Sequence, residues 1–251
     1  MDIGISGHGA IVTGGGRGLG AAICRLLAAE GAQVAVWDRD LEAADALVAE
    51  IRAAGGSAMA VAGQVESPAE VKAGVDAVLA AFGRIDILVN NAGFSYQGPV
   101  TGMTDEQWSA VIGVHMTGAF NMVRAVVPGM QARSYGRIIN MSSLAALGSD
   151  NLACYAAVKA GLQGFTRALA VELGGHDITV NAVAPSLIRT ERLKAASVFA
   201  RLDDLSMRNQ AIKRGGEPED VANAVAFFAS ARSGFITGDV LYVTGGILQL
   251  W

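Results

Sequence analysis

Short runs of β-branched and small apolar residues alternate along the chain with longer stretches that carry one apolar face. A short run that is apolar throughout suits a strand buried on both faces; an apolar stripe at three-to-four spacing suits a helix packed on one side. Strands are predicted at Ala10–Val12, Gln33–Trp37, Ala58–Ala62, Ile85–Asn90, Arg137–Met141, Ile178–Val183 and Val240–Val243. Helices are predicted at Leu19–Glu30, Leu41–Ala54, Pro68–Phe82, Asp105–Met130, Tyr155–Leu173 and Pro218–Ala229. Pro68 fits a first helical turn, and Thr104 is the expected N-cap of the long helix after it. Such alternation implies an α/β fold, a doubly wound parallel seven-stranded sheet with helices on both faces. No Pro- or Gly-rich linker and no shift in composition divides residues 1–251, which reads as one domain. The stretch Ser186–Glu217 breaks the rhythm and carries no strand signal. Near the carboxyl ends of the strands, where ligands bind in such sheets, it is expected to act as a mobile substrate lid, with an inert surface insertion as the alternative.

Composition narrows the class. Of 251 residues, 52% are hydrophobic and 17% charged, which excludes a disordered chain. No run of about 18 purely apolar residues indicates a spanning helix. Met1–Gly4 lacks the basic and apolar stretches of a signal peptide, so a soluble cytoplasmic protein is expected. The net charge is −4, and Lys and Arg are scattered, which argues against nucleic acid as a partner. Three His and two Cys show no metal-ligand spacing, so no metal is expected, and Cys24 and Cys154 read as buried thiols.

The first chemical signal is Thr13-Gly14-Gly15-Gly16-Arg17-Gly18-Leu19-Gly20, between the first strand and first helix. Glycines there let backbone N–H groups approach a pyrophosphate, and a helix N-terminus favours negative charge. Asp38 ends the second strand. A carboxylate at that place accepts hydrogen bonds from the ribose hydroxyls of NAD and repels the extra phosphate of NADP. Arg17 and Arg39 pull the other way, since a guanidinium can hold that phosphate. NAD is the favoured cofactor and NADP the less favoured one.

With Asn90-Asn91-Ala92-Gly93, Ser142-Ser143, Tyr155-x-x-x-Lys159 and Pro185 in order, the chain resembles the short-chain dehydrogenase/reductase family from about Gly7 onward. The resemblance implies a single-domain Rossmann fold, a nicotinamide cofactor, hydride transfer between a CH–OH group and a carbonyl, and a homotetramer or homodimer, the tetramer favoured. It assigns Gly14, Arg17, Gly18, Leu19 and Gly20 to the pyrophosphate turn, and Asn91, Ala92 and Gly93 to the ribose side with Asp38, Gln64 and Val65. Pro185, Ile188 and Thr190 fall on the nicotinamide side. Tyr155 becomes the acid/base, and Lys159 the residue that holds the nicotinamide ribose and lowers the tyrosine pKa. The chemistry agrees: four residues apart, Tyr155 and Lys159 share a helical face, and an ammonium favours the phenolate of a group whose ordinary pKa is about 10.

The chain departs from the family pattern in the spacing of its serine and at four further positions. Counting from Gly136 along the fifth strand selects Ser143 as the catalytic serine, whereas counting back from Tyr155 selects Ser142; the strand fixes side-chain direction, so Ser143 is preferred. His115 replaces the asparagine of the catalytic tetrad and is read as a modified proton relay, with a satisfied structural histidine as the alternative. Gln64 replaces an aspartate near the adenine amine. Ser186 and Thr244 replace a glycine and an aspartate. Substrate-pocket candidates are Ser142, Ser143, Phe94, Tyr96, Leu144, Leu187 and Leu193, with Phe199 and Leu202 further along the lid. They are mostly apolar and predict an uncharged hydrophobic or aromatic secondary alcohol or its ketone as the small-molecule substrate. The alternative is an NADPH-dependent 3-oxoacyl-[acyl-carrier-protein] reductase; a third reading is a non-catalytic cofactor-binding regulatory protein. The apolar end, Ile247–Trp251, is expected to pack at a subunit interface.

Overall fold

The computed structural model describes residues 3–247. Seven strands, β1 (Gly9–Thr13), β2 (Gln33–Asp38), β3 (Ser57–Ala62), β4 (Ile87–Asn90), β5 (Gly136–Met141), β6 (Ile178–Pro185) and β7 (Val240–Val243), form one sheet in the order β3-β2-β1-β4-β5-β6-β7. Every pairing is parallel. The helices are α1 (Gly18–Ala29), α2 (Leu41–Ala53), α3 (Pro68–Phe82), α4 (Asp105–Ile112), α5 (Gly118–Ala132), α6 (Ala153–Leu173), α7 (Glu191–Lys194), α8 (Phe199–Asn209) and α9 (Pro218–Ala229).

Successive strand residues point to opposite faces, and both faces are covered. Val12, Val34 and Ile139 pack with α1, α2 and α9, whereas Ile11, Leu88 and Ile138 pack with α3, α5 and α6. That two-sided burial is why the strands read as unbroken apolar runs. β1 pairs with β2 on one side and β4 on the other, so the order reverses there and a crevice opens beyond the carboxyl ends of β1 and β4.

The helix predicted over Asp105–Met130 runs from Asp105 to Ala132, and between α4 and α5 it passes through a wide π-helical turn, Gly113–Thr117, that the sequence pattern does not announce. Its start is as read, with Thr104 and Gln107 forming a reciprocal cap. One extra residue in a turn scarcely disturbs an apolar stripe, so periodicity passes over it, yet the turn carries His115 into the interior. Gly118 closes it against α3's approach, where a Cβ would come within 2.5 Å of Val65. The stretch 186–217 forms no strand among the described residues; Ile188 makes one isolated parallel bridge to Gly216, with α7 and α8 between. A single bridge is too short to leave a period in the sequence. The stretch 105–132 is long and apolar enough to cross a membrane by length and composition, but half of its most apolar window is buried within the fold, as in a core helix. Leu248–Trp251, and with them most of the expected interface segment, lie outside the described residues.

β4 starts two residues later than predicted, because Asp86 serves as a connector instead. Its fully buried carboxylate accepts from Gly9 N–H (3.0 Å) and from the Arg84 guanidinium (2.6 and 2.9 Å), with Arg133 at 3.6 Å. Asp86→Ala is expected to cost about 2–3 kcal/mol, because the buried N–H of Gly9 is orphaned while both arginines can reach water. Urea unfolding measures this; a change below about 1 kcal/mol would remove Asp86 as an anchor of β1.

Candidate active site

The glycine turn is built by exclusion. Gly14 sits at φ +60°, and a Cβ there would lie 2.9 Å from Ala92 Cα. At Gly20 a Cβ would lie 2.0 Å from the carbonyl oxygen of Gly14, so only glycine lets α1 start this close beneath the turn. Gly18, at φ +55°, faces Thr190 across a gap, with a Cβ meeting Thr190 Cγ2 only at 3.5 Å. The turn is braced from β4: the Asn91 side-chain amide donates to the carbonyls of Thr13 (2.9 Å) and Gly14 (3.0 Å). Thr13 Oγ1 accepts from the N–H groups of Asn91 and Ala92 and donates to Val89 O. The next two positions of the motif lie at the reaction end, with Gly93 exposed and Phe94 half-buried.

At the end of β2, Asp38 Oδ2 accepts from Gly16 N–H (3.0 Å) and Oδ1 from Asp40 N–H (3.0 Å). The carboxylate is therefore fixed beside the turn. Arg17 is already paired with Asp40 at 2.7 Å, in an exposed contact. Leu19 is half-buried in α1. Gln64 is exposed, with its N–H on Glu70; Val65 is buried and offers its carbonyl to Asn121. Small residues leave space along this crevice, a helix N-terminus faces it, and a fixed carboxylate stands at its far end. The residues present fit a nicotinamide dinucleotide.

The reaction end lies on α6. The Tyr155 hydroxyl hydrogen-bonds Ser143. Lys159 is buried; its Nζ donates to Met141 O (2.5 Å) and lies 5.4 Å from the centroid of the Tyr155 ring. The two serines separate cleanly. Ser142 Oγ turns away, donating to Lys159 O (3.0 Å) and accepting from Gln163 Nε2 (3.0 Å), whereas Ser143 reaches the tyrosine. Burial pulls Lys159 down to about 7. Burial also pushes Tyr155 above its ordinary value, against the opposing Ser143 hydrogen bond. The lowering expected from the lysine is not what sets this tyrosine: burial of the phenolate, opposed by Ser143, decides the direction.

His115 is 3% exposed, and its ring stands edge-to-face to Tyr155 at 5.6 Å. Its Nε2 lies 3.1 Å from Phe94 N and 2.8 Å from Phe94 O, a grip on one peptide whose sense depends on the tautomer. Burial first, and then the Lys159 charge, hold it down to about 3, so it stays neutral in ordinary buffers. No hydrogen bond joins it to Lys159 among the described residues. His115 and Asn90 line a cavity of roughly one water's size, and their Nδ1 and Oδ1 atoms have no protein partner.

Phe94 stacks edge-on against Tyr96 at 5.4 Å, extending the aromatic line His115–Tyr155 outward. Leu144, Leu187 and Leu193 are half-buried in the segments after β5 and β6. Pro185 is buried at the end of β6, Ile188 is buried at the lid bridge, and Thr190 caps α7 through Leu193 N–H. Several supporting residues escape a motif search: Thr13, Gln163, and the chain Asn90–Asn140–Thr166 (2.9 Å at each link). Polar Asn140, between Ile139 and Met141 in a fully buried strand, is a signal for it.

A doubly wound parallel sheet with this turn, this carboxylate and a Tyr–Ser pair beside a buried lysine at the strand ends defines a nicotinamide-dependent oxidoreductase. A family model described as Enoyl-(Acyl carrier protein) reductase matches residues 14–248. The short-chain reductase protein NovJ of Streptomyces niveus is 41% identical over 242 residues, covering 94% of this chain and 92% of the relative. The 3-oxoacyl-[acyl-carrier-protein] reductase FabG of Staphylococcus epidermidis is 40% identical over 240 residues, covering 95% and 98%. The crystal structure of a 3-oxoacyl (acyl-carrier-protein) reductase from Agrobacterium tumefaciens C58 with NADP bound superposes with a TM-score of 0.91 at 29% identity, covering 98% and 96%. The chain belongs to the short-chain dehydrogenase/reductase family.

Proposed function

We propose that this protein interconverts an uncharged hydrophobic or aromatic secondary alcohol and its ketone, using NAD(H). The observation that carries the reaction type is the Tyr155 hydroxyl, hydrogen-bonded to Ser143 above a buried Lys159. Gly14, Gly18, Gly20 and Asp38 would hold the dinucleotide, with Ile188 and Thr190 at the nicotinamide end; when bound, it supplies or accepts the hydride. Ser143 orients the substrate oxygen. Tyr155 gives its proton to that oxygen in reduction and takes it back in oxidation, and Lys159 favours the phenolate whenever it is charged. His115 acts here as a positioning residue: it holds the Phe94 peptide and packs on Tyr155, and with both its Nε2 contacts on Phe94 it has no direct path to Lys159. Phe94, Tyr96 and the three leucines offer apolar surface and no cation, which supports an uncharged substrate.

The preference for NAD rests on Asp38, fixed by two backbone N–H groups, and on Arg17 being engaged by Asp40. Calorimetric titration is expected to give NADH at least about tenfold tighter than NADPH, roughly 1.4 kcal/mol, and Asp38→Ala should erase most of that gap. A second reading, an NADPH-dependent 3-oxoacyl thioester reductase, draws on FabG and the NADP-bound neighbour. Tighter NADPH binding together with turnover of a 3-oxoacyl thioester, and none of an alcohol panel with NAD, would establish that reading instead.

A further inference from the structure

Arg189 lies between the two residues assigned to the nicotinamide end. Its backbone N–H donates to Gly216 O (2.8 Å), next to the Ile188–Gly216 bridge. Its side chain crosses Gly215, where a Cβ would come within 2.0 Å of Nε, so the glycine gives the guanidinium its path. The guanidinium then grips Asp203 on α8 with two hydrogen bonds, Nε to Oδ1 (2.7 Å) and Nη2 to Oδ2 (2.6 Å). A third nitrogen faces Glu217 at 3.7 Å, and Glu217 also faces Lys194 of α7 at 3.8 Å. Arg189 and Asp203 are 27% and 19% exposed, so water screens this pair less than a surface one. α8 is otherwise lightly anchored: Ser206 is its only buried residue, Leu205 is half exposed, and Lys213 bonds the carbonyls of its last turn.

We propose that Arg189–Asp203 is a clasp that ties the lid helix α8 to the cofactor-facing turn at 188–190. Arg189 is a positioning residue, touching neither reactant. Resting on the assignment of Ile188 and Thr190 to the nicotinamide end, the clasp makes cofactor binding and lid position one event. Two fixed parallel hydrogen bonds set α8 in direction as well as distance, which a single ion contact does not do.

The test is a cycle of Arg189→Gln, Asp203→Asn and the double variant, with Asp203→Glu as the conservative control. Limited proteolysis of the whole protein, read without substrate, reports lid opening. Each single variant is expected to be cut within 190–212 about fivefold faster, and the double variant no faster than either single. Asp203→Glu should restore slow cutting. With a ketone that the protein turns over, the singles should raise KM about fivefold and leave kcat within about twofold. Unchanged cutting in Asp203→Asn, or single effects that add in the double, would overturn the clasp. Absence of turnover on every ketone would sink the proposed reaction, while the proteolysis result would still decide the clasp.

Discussion

Tyr155→Phe is expected to lower turnover by about 10²–10⁴-fold while nicotinamide binding changes less than about threefold. The substitution removes one oxygen from a ring whose placement is set elsewhere. His115 stands edge-on to that ring, and Lys159 lies 5.4 Å from its centroid. Neither contact uses the hydroxyl, so the phenylalanine ring should keep its seat. Only the hydrogen bond to Ser143 and the proton delivered to the substrate disappear. Single-turnover reduction of a ketone, with cofactor binding measured separately, reads the two effects apart. Equal losses in binding and turnover would mean that the ring had moved. Turnover within tenfold of the parent would mean that another group supplies the proton.

The second large effect is expected at Gly93. A Cβ there would lie 2.1 Å from His115 Cε1 and 2.8 Å from both ring nitrogens. Its backbone is not in the left-handed region, so the obstacle is the imidazole rather than the peptide. Gly93→Ala must push the ring away from Phe94 or toward Tyr155. A displacement of about 1 Å at a reacting group costs on the order of 10²-fold in rate, and crowding the buried His115 ring costs about 1–3 kcal/mol. Removing the ring should reverse much of this. His115→Ala is expected to be impaired on its own, yet adding Gly93→Ala to it should change melting temperature and kcat/KM little. Steady-state kinetics and thermal unfolding of the four proteins complete the cycle. If Gly93→Ala is as harmful without the imidazole as with it, the two residues are not partners in space.

These cases also mark what the chain discloses before it folds. The sheet was legible because burial on both faces makes strands such as Gly9–Thr13 nearly unbroken apolar runs. The turn, Asp38 and the Tyr155–Lys159 pair were legible because their chemistry dictates residue type and local spacing. Counting along β5 favours Ser143 over Ser142 because a strand fixes side-chain direction, whereas the loop before Tyr155 can lose a residue anywhere. The π turn was not legible, since one added residue leaves an apolar stripe nearly intact. Nor was the meeting of Gly93 with His115, nor that of Arg189 with Asp203. Each joins residues from separate elements whose individual types are unremarkable, and only the packed chain sets their distance. The pKa of Tyr155 was misjudged for a related reason. Spacing on a helix reveals the lysine next door but not the depth of burial, and burial is the largest cause acting on this hydroxyl.

The sheet order has a consequence for how the protein becomes competent during synthesis. β1, β2 and β3 pair over short sequence separations and can assemble as a local unit. The dinucleotide turn belongs to that unit, yet its brace, Asn91, comes 77 and 78 residues after the carbonyls it holds. β4 must cross from the far edge and dock against β1 before the turn acquires its final shape, and such long-range parallel pairing is slow. A nascent chain that ends after β3 should therefore carry the complete glycine motif without affinity for a dinucleotide. Ligand capture would then report docking of the second half rather than completion of the first.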